Sequence, residues 1–340
     1  MKQLDVIRKL EGVYGNRTLR NHSAARGVVR FGQDGGDGVP TSIVLDLSVS
    51  KQILLSKSFG SLNYFHTGYE RAARSQYAVE VIRQYFERGP TFLEGEGHRA
   101  TRQAFGILLK EQTDTLGTNA PRIHAAMCKR KHRLRSALDF TRLFVEICLG
   151  TMICDLSSLP FRESLKILRA RRNVFYYHYH PLRHRDANAA LAMLDYPIST
   201  FAQSSDGEMK RLVCHALILM AYDPLIATIC ANLVEGRLMG VATSADTYCP
   251  VSFVSRICHE PAEINGFAFE RGEVCYVSLV PAANEESNAT FPFGAGVHTC
   301  IGKKISIEIF RLAELIIAAD FSDAFRESPA CAPDGAFLSF

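Results

Sequence analysis

Apolar residues recur at three- and four-residue spacing through most of the stretch from about 75 to 235. The segments Tyr77 to Arg88, Gly97 to Leu109, Arg135 to Cys148 and Leu165 to Arg172 therefore read as amphipathic helices. Leu212 to Val234 is more uniformly apolar, interrupted by His215, Asp223 and Pro224, and predicts a buried helix with a kink at Pro224. After residue 250 the period shortens. Val251 to Ser255, Ala262 to Phe269 and Val274 to Val280 are rich in Val, Phe, Tyr and Ile and predict strands, with turns at Asn265-Gly266 and Arg271-Gly272. Near the N-terminus, Gly32 to Gly38 predicts a loop, Thr41 to Leu47 a short strand, and Ser48 a cap for the helix that follows. A last apolar stripe, Ile305, Ile309, Leu312, Leu315 and Ile316, predicts a helix beginning near Lys303. The class is mainly α with small β-sheets. No repeat, low-complexity tract or linker divides the chain, so residues 1–340 are expected to form one domain.

At 340 residues and 47% hydrophobic content the chain can bury a large core. A formal net charge of +4 gives no reason to expect nucleic acid as a partner. The ten cysteines contain no Cys-x-x-Cys pair and are scattered through apolar segments, a pattern of reduced thiols rather than of a disulfide framework. Met1 to Arg8 is mixed in charge and lacks the apolar core of a signal peptide. These features lead to an expectation of a cytoplasmic protein with no membrane partner.

Ten residues change the picture most: Phe293-Gly294-Ala295-Gly296-Val297-His298-Thr299-Cys300-Ile301-Gly302. Glycines at 294, 296 and 302 permit tight bends and positive φ, and bring backbone N–H groups close to the Cys300 sulfur. A helix starting just after Cys300 points its N-terminus at that sulfur and favours negative charge there. A deprotonated, shielded thiolate is what a haem iron needs as an axial ligand.

This run resembles the signature of cytochromes P450, in the form Phe-Gly-x-Gly-x-His-x-Cys-x-Gly found in soluble bacterial members. Its six fixed positions recur by chance in a chain of this length with a probability on the order of 10⁻⁶. The resemblance covers roughly residues 40 to 320 and is strongest around Cys300. It implies the cytochrome P450 fold and haem b as cofactor, with Cys300 as the metal ligand, Phe293 covering the thiolate, Gly302 closing the loop and His298 facing a propionate. His98 and Arg102, four apart on one helix face, match the family's His-x-x-x-Arg pair for the propionates, and Arg256, at the end of the strand from Val251, is a third candidate cation. In the segment Leu217 to Leu225, which looks like the family's long central helix, Asp223 aligns with the acid that relays protons.

The chain also departs from the family. After Asp223, Pro224 and Leu225 stand where the family normally carries threonine. The expected Glu-x-x-Arg pair is missing, since Glu235 and Arg237 are two apart, and Glu308 and Arg311 have the spacing but follow Cys300. Only six residues lie between Asn284 and Phe291, where relatives carry a long meander. The basic run Lys129 to Arg135 offers either a dock for an acidic ferredoxin or flavodoxin or a solvated helix face. His178, His180 and His184 read as surface histidines in preference to a metal site.

The leading expectation is thus a haem-thiolate monooxygenase of the cytochrome P450 type. It would act on a small, mostly apolar or aromatic intermediate of secondary-metabolite biosynthesis, with O2 and electrons from a ferredoxin or flavodoxin reductase system. The altered residues after Asp223 leave open a peroxide-driven or redox-neutral haem-thiolate reaction. A non-catalytic haem-binding protein is the third alternative.

Overall fold

The computed structural model describes residues 27–31, 40–61, 87–169, 206–234, 253–279 and 291–321, and these group into two compact units. One unit is built on a sheet and contains the described residues up to Ser61 and those from Ala227 to Cys300. The other is helical.

The sheet unit holds β1 (Val28–Phe31), β2 (Thr41–Val44), α1 (Leu47–Leu55), β3 (Phe59–Ser61) and, later in the chain, β4 (Phe253–Cys258), β5 (Ala262–Ile264), β6 (Phe267–Phe269) and β7 (Val274–Ser278). Five strands form one sheet in the order β1-β2-β7-β4-β3. Only the β2–β7 pair is parallel, in register from Thr41↔Val274 to Val44↔Val277. All four residues of β2 are buried, as befits a strand covered on both faces. The core joins Val44, Val49, Ile53, Leu54, Phe59, Phe269 and Val277, with Phe59 edge-on to Phe269 at 5.4 Å between ring centroids. β5 and β6 pair through the Asn265-Gly266 turn, where both residues have positive φ (50° and 78°), the backbone that a two-residue hairpin of matching twist requires.

The predicted strand from Thr41 ends at Val44, and the cap of α1 is Asp46 rather than Ser48. Asp46 Oδ1 accepts from the Ser48 and Val49 N–H groups at 2.8 and 3.0 Å, so Ser48 supplies a donor instead of capping. Arg256 lies inside β4, not at a strand end. The strand runs on to Cys258 because Arg256 and Ile257 both pair with β7 and β3.

The helical unit contains α2 (Gly95–Cys128), α3 (Ala137–Ser157), α4 (Phe161–Arg169), α5 (Gly207–Ala216) and α7 (Lys303–Ile316). The helix α6 (Tyr222–Val234) begins in this unit. α2 runs 34 residues through Pro121 without a break. Leu108, Leu109, Leu116, Ile123 and Met127 are buried along one side, and packing against α3 and α7 outweighs the lost donor at Pro121. Ser136 caps α3 by accepting from Asp139 N–H at 3.1 Å. Gln112 of α2 donates to Asp155 of α3 at 2.7 Å, and Glu146 of α3 holds Arg169 of α4 at 2.7 Å.

Between α5 and α6 the residues Leu217–Ala221 form a π turn. Pro224 has no N–H for the Met220 carbonyl and its ring crowds that carbonyl. The wider turn just before it is how this helix accommodates the predicted kink. In α7, Ile305, Ile309, Leu312 and Ile316 are buried, whereas Leu315 is 63% exposed. At about 100° per residue Leu315 falls about 80° from the direction of Ile305, outside the stripe set by the other four. The basic run leaves the helical pattern as well: Lys131–Arg133 form an exposed 3₁₀ turn after α2 rather than a helix face.

Among the described residues no single helix is long and apolar enough to cross a membrane. The bent pair α3 and α4 reaches that length only together, across a 119° break. The loop Gly32 to Gly38, most of Tyr77 to Arg88, the three histidines from 178 to 184, Glu235 and Arg237, and the segment from 284 to 290 lie outside the described residues.

Candidate thiolate site

The chain leaves β7 and enters the Cys300 loop through Phe291, whose N–H donates to Leu279 O at 2.9 Å. Phe291 and Ala295 pack against the core of the sheet unit, so the loop starts from fixed ground. Gly294 N–H donates to Phe291 O at 2.8 Å with φ +68°. Gly296–His298 form a 3₁₀ turn closed by Thr299, whose N–H and hydroxyl both donate to Gly296 O, at 3.1 and 2.7 Å. Cys300 N–H then donates to Phe293 O at 2.7 Å and shuts the loop.

Gly296 explains why the loop has this shape. Its φ is +72°, and a Cβ placed there would lie 2.2 Å from the carbonyl oxygen of Leu54. The last turn of α1 is therefore pressed directly against the loop, and only glycine permits the approach. Sequence reasoning found the glycine but not its neighbour, because a glycine signals close approach without naming what approaches. Gly302 behaves differently from expectation. It is the N-cap of α7 with φ −81°, an ordinary backbone, and its carbonyl accepts from Ser306 N–H at 2.9 Å to begin the helix. It serves as a helix start and not as a positive-φ bend.

Exposure separates Cys300 from the other thiols. Among the described cysteines it alone is exposed, while Cys148, Cys214, Cys230, Cys258 and Cys275 are buried. Burial pushes the thiols of Cys148, Cys214 and Cys275 far above the ordinary range, so these stay protonated and inert. Cys258 is raised by burial and by the nearby Glu273 carboxylate, with partial relief from its hydrogen bond to Glu260 O.

The remaining predicted residues are placed as follows. Phe293 and His298 sit half-buried in the loop itself, and Val297 between the glycine and the histidine is 66% exposed. Arg256 lies in the same unit, buried in β4, with one guanidinium nitrogen donating to Ser255 O at 2.7 Å. In the helical unit, His98 is buried in the first turns of α2 and Arg102 is half-buried one turn on, so one face carries both. Asp223 is half-buried immediately after the π turn. Its neighbour Tyr222 donates through its hydroxyl to Glu146 at 3.2 Å, a tie that sequence patterning gave no sign of. Leu225 is buried and apolar. The hydroxyl further along α6 is the buried Thr228, five residues beyond Asp223 and so on another face.

The donor set suits a haem-thiolate ligand. Cys300 is exposed in a loop whose Gly294, Thr299 and Cys300 N–H groups are hydrogen-bonded, two residues before a helix N-cap, in a protein whose other described thiols are mostly sequestered.

No family model and no curated protein sequence matches this chain. Solved structures do. OxyA from Actinoplanes teichomyceticus shares 13% identity over 98% of this chain and 97% of its own, with a TM-score of 0.67. P450BioI in complex with an acyl carrier protein ligated to hexadec-9Z-enoic acid shares 15% over 90% of this chain and 91% of its own, at 0.65. OxyB from teicoplanin biosynthesis, in complex with the X-domain, shares 18% over 91% of each, at 0.64. The fold is that of the cytochromes P450, as the Cys300 motif implied.

Proposed function

We propose that residues 1–340 act as one haem-thiolate oxidoreductase domain of the cytochrome P450 type. The reaction is monooxygenation of a small, mostly apolar or aromatic biosynthetic intermediate with O2 and external electrons. The observation that carries this reading is the exposed Cys300 in a loop closed onto Phe293 and backed by α1, on a cytochrome P450 fold. Haem b, when bound, supplies an iron able to activate oxygen, with electron density from an axial thiolate.

Each residue then has a defined task. Cys300 holds the metal, Phe293 covers the sulfur, and Gly302 starts the helix that favours negative charge at the ligand. His98, Arg102, Arg256 and His298 offset the two propionate carboxylates as charge-assisted donors. Asp223 holds and passes a proton beside the break in the central helix. The similar structures support a biosynthetic substrate: OxyB belongs to teicoplanin biosynthesis, and P450BioI was captured with an acyl chain on its carrier protein. A ferredoxin or flavodoxin system in the cytoplasm is the proposed electron source.

One observation favours a second reading, a peroxide-driven or redox-neutral reaction. Leu225 is buried and apolar where relatives carry a hydroxyl beside the acid, which weakens proton delivery to bound oxygen. Turnover of candidate intermediates by the haem-loaded protein separates the two. Product formation that requires reductase, ferredoxin and NAD(P)H supports monooxygenation. Equal product with peroxide or with substrate alone supports the second reading.

A further inference from the structure

Away from the thiolate loop, the helical unit brings together His124, Cys128 and Asp320. One ligand-capable atom of each lies within 4.8 Å of the other two. His124 and Cys128 are four apart on α2, so the helix itself presents an imidazole and a thiol on one face. Asp320 comes from the π turn Ile317–Phe321 that ends α7. All three are partly exposed, which leaves a path for an ion.

The backbone of Asp320 is held from behind. Lys131 Nζ donates to the Asp320 carbonyl oxygen and lies 5.3 Å above the centroid of the Phe321 ring. Phe321 is fully buried and packs edge-on to Phe140 at 5.1 Å. The Lys131 ammonium is therefore engaged by the backbone and the ring. Its charge opposes a cation nearby and favours the Cys128 thiolate, but burial and the Asp320 carboxylate outweigh it and hold that thiol above its ordinary range, so a bound ion has to displace the thiol proton.

We propose that His124, Cys128 and Asp320 form a three-ligand site for a thiophilic divalent ion, Zn²⁺ by its donor set. One sulfur, one imidazole nitrogen and one carboxylate oxygen with a water in the fourth position is a tetrahedral zinc set. Bond lengths of about 2.0–2.3 Å at a tetrahedral centre require donors about 3.3–3.7 Å apart. The Cys128 Sγ to Asp320 Oδ2 distance is already 3.4 Å. The His124 Nε2 to Asp320 Oδ2 contact, 2.5 Å, has to open by about 0.8 Å, within reach of a carboxylate rotation. Binding replaces the thiol S–H bond by a Zn–S bond and the proton between His124 Nε2 and Asp320 by a Zn–N bond; the thiol proton leaves to solvent and the imidazole proton moves to Nδ1 by exchange with solvent, with no redox change. The ion clips the end of α7 to the end of α2.

The test uses the chain of residues 1–340, haem-loaded, kept reduced, stripped with chelator and dialysed against buffered micromolar Zn²⁺. The expected result is one zinc per chain, with a zinc-edge X-ray absorption shell of one sulfur near 2.3 Å and nitrogen or oxygen near 2.0–2.1 Å. Cys128→Ser and His124→Ala each weaken binding by about a hundredfold, and Cys154→Ser, a partly buried thiol outside both sites, leaves it unchanged. Zinc retention that survives Cys128→Ser, a shell without sulfur, or no stoichiometric zinc in the wild-type chain overturns the proposal. In that case the three groups are only the hydrogen-bonded network of His124 and Cys128 around Asp320.

Discussion

Gly296 is the residue on which the geometry of the thiolate loop depends most. Any side chain there meets the Leu54 carbonyl at 2.2 Å, and the positive φ adds backbone strain that no neighbour can relieve. Gly296→Ala is expected to cost about 2–4 kcal/mol, read as a lower urea midpoint, and to reduce haem uptake together with stability. Glu308 is the contrasting case. Its ion pair with Arg311 is 3.0 Å long, three residues apart on an exposed face, so Glu308→Gln is expected to change stability by no more than about 0.5 kcal/mol. A large loss there would mean that this pair does the structural work of the family's missing Glu-x-x-Arg. At this scale the sequence was legible wherever one residue type has one physical use. The positive φ of Gly294 and Gly296 followed from glycine spacing. The ordinary φ of Gly302 did not, since a glycine at a helix N-cap is written the same way. His124 and Cys128 carried a readable four-residue spacing, but their partner Asp320 is 192 residues away from Cys128 and only folding reveals it.

At the scale of elements, α1 joins the sheet core to the thiolate loop, and its stability bears on both. Burial tends to raise the Asp46 carboxyl, but the hydrogen bonds from Val49 and Ser48 outweigh it and hold the group below its usual range. A depressed carboxylate stabilises the fold above its unfolded value, near pH 4, and that contribution is lost as the pH falls through the lower folded value. Asp46→Ala is therefore expected to lower stability by about 1 kcal/mol at neutral pH. The difference between variant and wild type should close in acid; a difference that stays constant down to pH 2 would assign the effect to packing. Periodicity located most of the described helices and the later strands, because helices with an apolar stripe and strands with β-branched runs announce themselves, but it gave no sign of β1 or β3 and read α2 only from Gly97 to Leu109. It failed at boundaries where long-range pairing decides. β4 continues through Arg256 because both neighbouring strands pair with it, and α2 continues through Pro121 because buried apolar residues on either side, Leu116 before it and Ile123 and Met127 after it, hold it together. The π turn before Pro224 was legible only as a break, since the choice between a kink and an extra residue in the turn rests on how α5 packs against α2 and α3.

Over the whole molecule, one described thiol is exposed and five are buried, which turns a question of ligation into one of accessibility. In the haem-free, folded chain Cys300 is expected to react with a thiol reagent well ahead of Cys148, Cys214 and Cys275, so Cys300→Ser removes one rapidly reacting equivalent. An unchanged rapid phase would place the reactive thiol elsewhere. The fold was foreseeable from a ten-residue motif because axial thiolate ligation restricts sequence severely. The reaction was not: in the proposed reading it turns on Asp223, after which this chain writes proline and leucine in place of the familiar threonine. The central claim is that Cys300 ligates haem iron as a thiolate, and the absorption spectrum of the carbon monoxide complex of the reduced, haem-loaded protein tests it most directly. The strongly red-shifted Soret band of thiolate ligation is predicted for the wild type and its loss for Cys300→Ser. A band at the position typical of histidine ligation in the wild type, or a red-shifted band that persists in Cys300→Ser, would contradict the account.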